Sequence, residues 1–188
     1  MTKTVHQLKI ALREVKPPVW RRIVVRSETW LSDMPWILEQ AVGWDSYHLH
    51  AFDIDGVRYG VPDPDWDLDF LDEYQFRLGE VLPTVGSKMR YDYDFGDGWE
   101  HDVLVEAISL PQRGVKYPVC IDGKRTCPPE DCGGPWGYAN VLEALRDPGH
   151  AEHEELTAWA PPGFSPARFD LETTNEAMRS TRPLAGWA

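Results

Sequence analysis

Three cysteines lie close together in a stretch rich in glycine and proline, where their thiols could bind a soft metal ion. Cys120, Cys127 and Cys132 follow the spacing C-x6-C-x4-C. Thiolates favour zinc, and a structural zinc site has four ligands. The best fourth ligand is His101, which follows a predicted hairpin turn. We therefore predict a candidate zinc site at these four residues, with three thiols packed beneath a loop as the alternative.

A cluster of acidic side chains lies on a predicted β-hairpin around Gly96, Asp97 and Gly98. A three-residue loop at this position puts the aromatic residues of both strands on one face of the hairpin. The other face then carries the acids Asp92, Asp94, Glu100 and Asp102. Like charges opposite one another destabilise a sheet, so a neutralising group is expected.

Three kinds of neutralising group stay open. Basic side chains of the N-terminal strands would lie alongside in the same sheet, the candidates being Lys9, Arg13, Arg21 and Arg22. A hard cation would bind the carboxylate oxygens directly. A basic protein or peptide would bind the acids from outside. For this partner the candidate binding residues are Asp92, Asp94, Asp97, Glu100, Asp102 and Trp136.

Two histidines, His48 and His50, are separated by one residue in a segment that alternates like a strand. Side chains at i and i+2 of a strand project to the same side, which suits two imidazole ligands. With His101 they would form a three-histidine metal site. The alternative is a pair of hydrogen-bonded histidines at the edge of the core, because Phe52 and Ile54 share their face.

The acidic balance of the chain limits the classes of partner. The 188 residues include 31 acids and 19 bases, which gives a net charge of -12. A general nucleic-acid binder needs a basic surface, so a basic protein or peptide is the preferred partner. Residues 1–26 carry seven bases against one acid, which keeps DNA handling open as an alternative.

No catalytic motif accompanies these groups. The sequence has no P-loop, no GxGxxG and no GxSxG. We therefore favour a non-enzymatic interaction module over a zinc-binding domain or a metal-dependent enzyme.

Aromatic residues make up 12% of the chain, and most are expected in the core. Trp66 and Trp136 are left as candidates for contacts with a partner.

The elements that must position these groups form an α+β domain. Alternating apolar residues predict N-terminal strands and further strands at residues 47–54, 88–95 and 99–108. Residues 34–42 predict an early helix that stops at Gly43, and residues 138–146, 152–159 and 171–179 predict C-terminal helices. Residues 111–135 read as irregular. We predict one compact domain over residues 1–188 with a mostly antiparallel sheet.

The cellular location is predicted from absences and from the thiols. No apolar run approaches about 18 residues, so no membrane span is expected. The N-terminus lacks the apolar core of a signal peptide. An odd number of cysteines without an export signal indicates reduced thiols in the cytoplasm.

Four motifs occur in order along the chain and carry a family resemblance. They are PPVWRRI at residues 17–23, GW at 43–44 followed by HLHAF at 48–52, YDFGDGWEH at 93–101, and CPPEDCGGPWGY at 127–138. Through them, over about residues 3–180, the sequence resembles the plasmid pRiA4b ORF-3-like family. The resemblance implies a single-domain α+β fold and an association with mobile elements, but no particular reaction. A recombinase activity is not expected, because no histidine has an arginine three residues on.

Overall fold

An eight-stranded sheet organises the computed structural model, which describes residues 3–63 and 69–180. Its strands are β1 (Val5–Leu12), β2 (Trp20–Arg26), β3 (His50–Ile54), β4 (Val57–Gly60), β5 (Leu71–Asp72), β6 (Lys88–Tyr93), β7 (Trp99–Ser109) and β8 (Val119–Lys124). The order across the sheet is β5-β4-β3-β6-β7-β1-β2-β8. Each pair of neighbours is antiparallel except β4 with β5.

The helices are α1 (Met34–Val42), α2 (Leu78–Val81), α3 (Gly134–Arg146), α4 (His153–Trp159) and α5 (Leu171–Arg179). One helix therefore comes early and three come at the end, as the sequence predicts, and the α+β fold is confirmed. The short α2 and strand β4 were not predicted. No helix in the described ranges is long and apolar enough to span a bilayer.

The core forms where the apolar side chains on one face of β1 and on one face of α1 are buried in the same interior. Alternate residues of β1, from His6 to Leu12, are buried between β7 and β2. The apolar stripe of α1 is buried as well, and the helix ends where Gly43 takes a left-handed conformation with φ 105°. Trp44 follows directly and is one of the largest buried side chains. The end of α1 thus places the Trp44 side chain in the core, where it packs against residues of β6 and β7.

The hairpin of β6 and β7 departs from the prediction at its turn. Tyr93 pairs with Trp99, so the connection has five residues rather than three. Asp94 and Phe95 therefore do not continue the strand, and Asp94 adopts a left-handed backbone with φ 53°. Aspartate tolerates this conformation because its carboxylate can accept hydrogen bonds from the amides that follow. Its Oδ1 accepts from the backbone N–H groups of Gly96 at 3.0 Å and Asp97 at 3.3 Å.

The stretch at residues 111–135 is not wholly irregular, which corrects a second prediction. β8 lies within it and forms the sheet edge beside β2. Its exposed side chains and its Gly123 hide the strand pattern from the sequence. Asn175 of α5 holds this edge strand, because its side-chain amide bonds both the N–H and the C=O of Cys120 at 2.9 Å.

Candidate functional site

Three loops meet at one end of the central strands and bring five carboxylates together. The loops are residues 45–49 before β3, residues 94–98 between β6 and β7, and residues 130–134, which lead into α3 and include its first residue. We call their acids, listed here in chain order, the carboxylate cluster: Asp45, Asp94, Asp97, Glu130 and Asp131. Three of the four family motifs supply these loops.

Hydrogen bonds tie the loops to one another. The Asp94 amide donates to the Leu49 carbonyl at 2.9 Å. The Asp45 amide donates to Glu130 Oε2 at 2.9 Å, and the Gly133 amide donates to Asp97 Oδ2 at 3.1 Å. Each loop therefore holds another through a backbone N–H group, so the cluster is built by contacts between distant segments.

The glycine at residue 134 allows the closest approach between these loops. Gly134 has φ 68°, and a Cβ atom added there would lie 2.2 Å from the Asp97 carbonyl oxygen. Real side chains do not approach a backbone oxygen so closely, so only glycine fits. α3 can begin directly against the hairpin loop for this reason.

His48 lies at the centre of the cluster. Its Nε2 is 3.6 Å from Asp94 Oδ2 and 3.4 Å from Asp131 Oδ1. One ligand atom from each of these three residues lies within 4.8 Å of the others, and no other such group of histidine, cysteine or acid side chains occurs in the described residues. Nε2 is buried and has no hydrogen-bond partner among the described residues. The other oxygen of Asp131 accepts from the Tyr47 hydroxyl at 2.9 Å.

Aromatic rings form the floor of the site. Tyr93 stacks on Trp44 with ring centroids 5.0 Å apart, and the His48 ring meets Tyr93 edge-on at 5.6 Å. The Tyr93 hydroxyl donates to Glu130 Oε1 at 2.6 Å. Burial is the largest influence on Glu130 and raises the pKa of its carboxyl. Glu130 is therefore partly withdrawn from water and Asp94 is buried, whereas Asp45 and Asp131 stay exposed.

Four exposed side chains with large apolar surfaces lie on these loops or just after them. We call them the apolar rim: Tyr47, Leu49, Phe95 and, in the first turn of α3, Trp136. Trp136 is 85% exposed, which is unusual for tryptophan. Trp66, the other tryptophan proposed for partner contacts, lies outside the described residues.

The predicted partner-binding acids divide between two faces. Asp94 and Asp97 belong to the carboxylate cluster, beside Trp136 of the rim. Asp92, Glu100 and Asp102 lie on the opposite face of the sheet and meet arginines there. Asp92 lies 2.9 Å from Arg90 and 3.4 Å from Arg58.

The N-terminal strands neutralise part of the hairpin, as one of the open alternatives proposed. Arg13, which follows β1, lies 2.6 Å from Glu100 and 3.9 Å from Asp102. Arg22 instead pairs with Glu106, at 2.6 Å. Arg21 is buried and donates its hydrogen bonds to backbone carbonyls, including Ala41 at 2.9 Å.

The predicted zinc ligands are not brought together. No three of Cys120, Cys127, Cys132 and His101 place their ligand atoms in one group. Burial raises the pKa of the Cys127 and Cys132 thiols to about 12, which opposes the thiolate form that zinc needs. The three-histidine site is not assembled either. His50 Nε2 bonds Glu73 Oε2 at 3.0 Å, which is the hydrogen-bonded alternative at the core edge.

Glu130 and Asp131 were not predicted from the sequence, and the metal site considered for His48 grouped it with His50 and His101 rather than with Asp94 and Asp131. The usable signal was the Glu-Asp-Cys-Gly-Gly run at residues 130–134, where paired glycines indicate a tight loop with charged residues beside it. Spacing alone did not connect this run to His48, because the two are more than eighty residues apart.

Comparisons with known proteins agree with the fold. The sequence profile of the family described as plasmid pRiA4b ORF-3-like protein matches residues 4–173. Uncharacterized protein y4hQ of Sinorhizobium fredii is 40% identical over 190 residues, covering 100% of this chain and 96% of that protein. The crystal structure of MM3350, a protein of unknown function from Methanosarcina mazei Go1, aligns with a TM-score of 0.83 at 33% identity. That alignment covers 92% of this chain and 98% of the other.

Proposed function

The chain belongs to the plasmid pRiA4b ORF-3-like family, and we propose that it is a non-enzymatic binding module for a basic protein or peptide. The binding surface is the carboxylate cluster with its apolar rim. We place this activity in the cytoplasm, because all three thiols are free and a reducing compartment keeps thiols in that state.

The observation that carries the proposal is the difference in charge compensation between the strands of the hairpin and the three loops at their end. Acids on the strands are matched by arginines, as for Asp92 and Glu100. By contrast, no lysine or arginine of the described residues forms an ion pair with any member of the carboxylate cluster. Unmatched charge of one sign at an exposed site attracts a partner of the opposite sign.

The apolar rim supports a protein or peptide rather than a small cation alone. Tryptophan and tyrosine are enriched where binding energy concentrates. Arginine and lysine can also lay their stems and charged heads against aromatic faces. Trp136 lies in the first turn of α3, and α3 begins against the hairpin loop that carries Asp97. This part of the surface therefore offers an aromatic face and carboxylates to a basic segment.

A random-peptide selection tests this proposal, carried out with the full chain in chelator. We expect enriched peptides to combine arginine or lysine with apolar residues and to bind more weakly as salt increases. Asp97→Asn and Trp136→Ala should weaken binding at least about tenfold, which corresponds to about 1.4 kcal/mol. The matched controls Asp92→Asn and Asp102→Asn lie on the opposite face and should leave it unchanged. Enrichment of acidic peptides, or equal effects of both pairs of variants, would refute the proposed surface.

A further inference from the structure

The centre of the carboxylate cluster has a feature that a basic partner does not explain. Nε2 of His48 is buried without a hydrogen-bond partner among the described residues. Two carboxylate oxygens face it at 3.4 and 3.6 Å. Both separations are longer than a good N–H···O hydrogen bond, which is about 2.7–3.2 Å. A buried polar atom left unpaired costs free energy, so a ligand that contacts all three side chains would stabilise this arrangement.

The separations suit a shared metal ion. Zinc binds histidine nitrogen at about 2.0–2.1 Å and carboxylate oxygen at about 2.0–2.2 Å, so neighbouring ligands of a tetrahedral site lie about 3.3–3.5 Å apart. The distances from His48 to Asp94 and Asp131 are 3.6 and 3.4 Å. Both distances from His48 to the carboxylates therefore match metal-ligand spacing, and all three ligand atoms lie within 4.8 Å of one another.

The remaining atoms of these carboxylates are held as a metal site requires. Asp94 Oδ1 accepts from two backbone amides, which leaves Oδ2 directed at His48. Asp131 Oδ2 accepts from Tyr47, which leaves Oδ1 directed at His48. Hydrogen bonds of this kind fix the orientation of ligands around a metal. The cluster's other acids add further negative charge at the same place.

We propose that His48, Asp94 and Asp131 form a binding site for a zinc-like divalent transition-metal ion. Imidazole favours such an ion over magnesium or calcium, which prefer oxygen ligands alone. Three protein ligands leave a fourth position open, and the Asp131 side chain is 66% exposed. Five carboxylates keep a negative excess after one divalent ion binds, so the metal and a basic partner can occupy the surface together.

Zinc titration by calorimetry on the full chain, without peptide and without a metal-binding tag, tests the site. We expect about one zinc ion per chain. His48→Gln and Asp131→Asn should each weaken binding at least about tenfold, in the range for lost metal-site groups. Asp102→Asn is the matched carboxylate control on the opposite face, and Cys132→Ser is the thiol control from the same loop. Both controls should bind zinc as the wild type does.

Cobalt substitution supplies a readout that does not depend on affinity. The absorption spectrum of the cobalt-loaded chain should lack the intense near-ultraviolet thiolate-to-metal band, and its visible d–d bands should change in His48→Gln. Near-ultraviolet circular dichroism without metal checks that each variant is folded. Absence of zinc binding by the wild type, undiminished binding by His48→Gln, or loss in Cys132→Ser would overturn the proposal. Peptide selection in chelator and zinc titration without peptide are separate, so either proposal can fail alone.

Discussion

At the scale of single residues, the environment separates two histidines that the sequence treats alike as metal ligands. His101 lies among aromatic rings, 5.2 Å from Trp44 and 5.5 Å from Tyr91 between centroids. Its Nδ1 contacts the Tyr91 carbonyl at 3.2 Å, and burial lowers its pKa to about 4. His48 instead faces two carboxylates, one on the buried Asp94 and one on the exposed Asp131. His101 is therefore a neutral core residue, whereas His48 is placed to hold a cation.

The buried imidazole of His101 should make stability depend on pH. Its pKa falls from an ordinary 6.5 to about 4 on folding, so the unfolded chain takes up the proton first as pH falls. The free energy of unfolding should be fully retained above pH 6.5 and lost progressively towards pH 4, by up to about 3 kcal/mol. Urea unfolding at several pH values should show this slope, and His101→Phe should flatten it. His6, whose pKa burial also lowers, supplies a residual slope of the same sign. An equal slope in wild type and variant would contradict the assignment.

At the scale of elements, the sequence pattern correctly predicted the helix features that depend on residues close together in the chain. The stripe of α1, its stop at Gly43 and the Asp170 cap of α5 all follow from neighbouring residues, and each is present. The edge strand β8 was missed because its partners and the Asn175 clamp are distant in sequence. The site was missed for the same reason. It depends on three loops meeting and on the left-handed backbone of Asp94 and Asp131, which no periodicity encodes.

The close contact at Gly134 should contribute more to the stability loss of an alanine variant than the left-handed backbone conformation does. Gly134→Ala brings Cβ to 2.2 Å from the Asp97 carbonyl, so the loop at residues 130–134 must move away from the hairpin. Gly114→Ala is the matched control, because Gly114 has φ 84° with nothing within 4 Å. We expect the control to cost about 1–2 kcal/mol for the left-handed conformation, and Gly134→Ala to cost about 1–3 kcal/mol more from crowding. Urea denaturation measures both, and equal losses would argue against the contact.

At the scale of the whole molecule, paired charges and unpaired acids occupy different parts of the surface. The outer face of the sheet holds networks in which Arg13, Arg22 and Arg90 each contact acids. Surface pairs of this kind add little stability, typically about 0–1 kcal/mol each, but they remove free positive charge. The carboxylate cluster keeps its charge unmatched by lysine or arginine within the described residues. Five of the 31 acids of the chain thus lie together where the loops meet.

This arrangement predicts that the chain does not bind duplex DNA. The basic N-terminal segment suggested DNA handling, yet Arg21 is buried against Phe169 at 4.6 Å and Arg22 is paired with Glu106 and Asp122. Neither guanidinium is free to neutralise a phosphate, and phosphate contacts supply most non-specific affinity. Fluorescence anisotropy with a labelled duplex at about 0.1 M salt, where the Debye length is about 10 Å, should give no saturable binding. Saturable binding that weakens in Arg22→Ala would require the Arg22 pairs to open, and it would make the sheet face, rather than the carboxylate cluster, the working surface of the molecule.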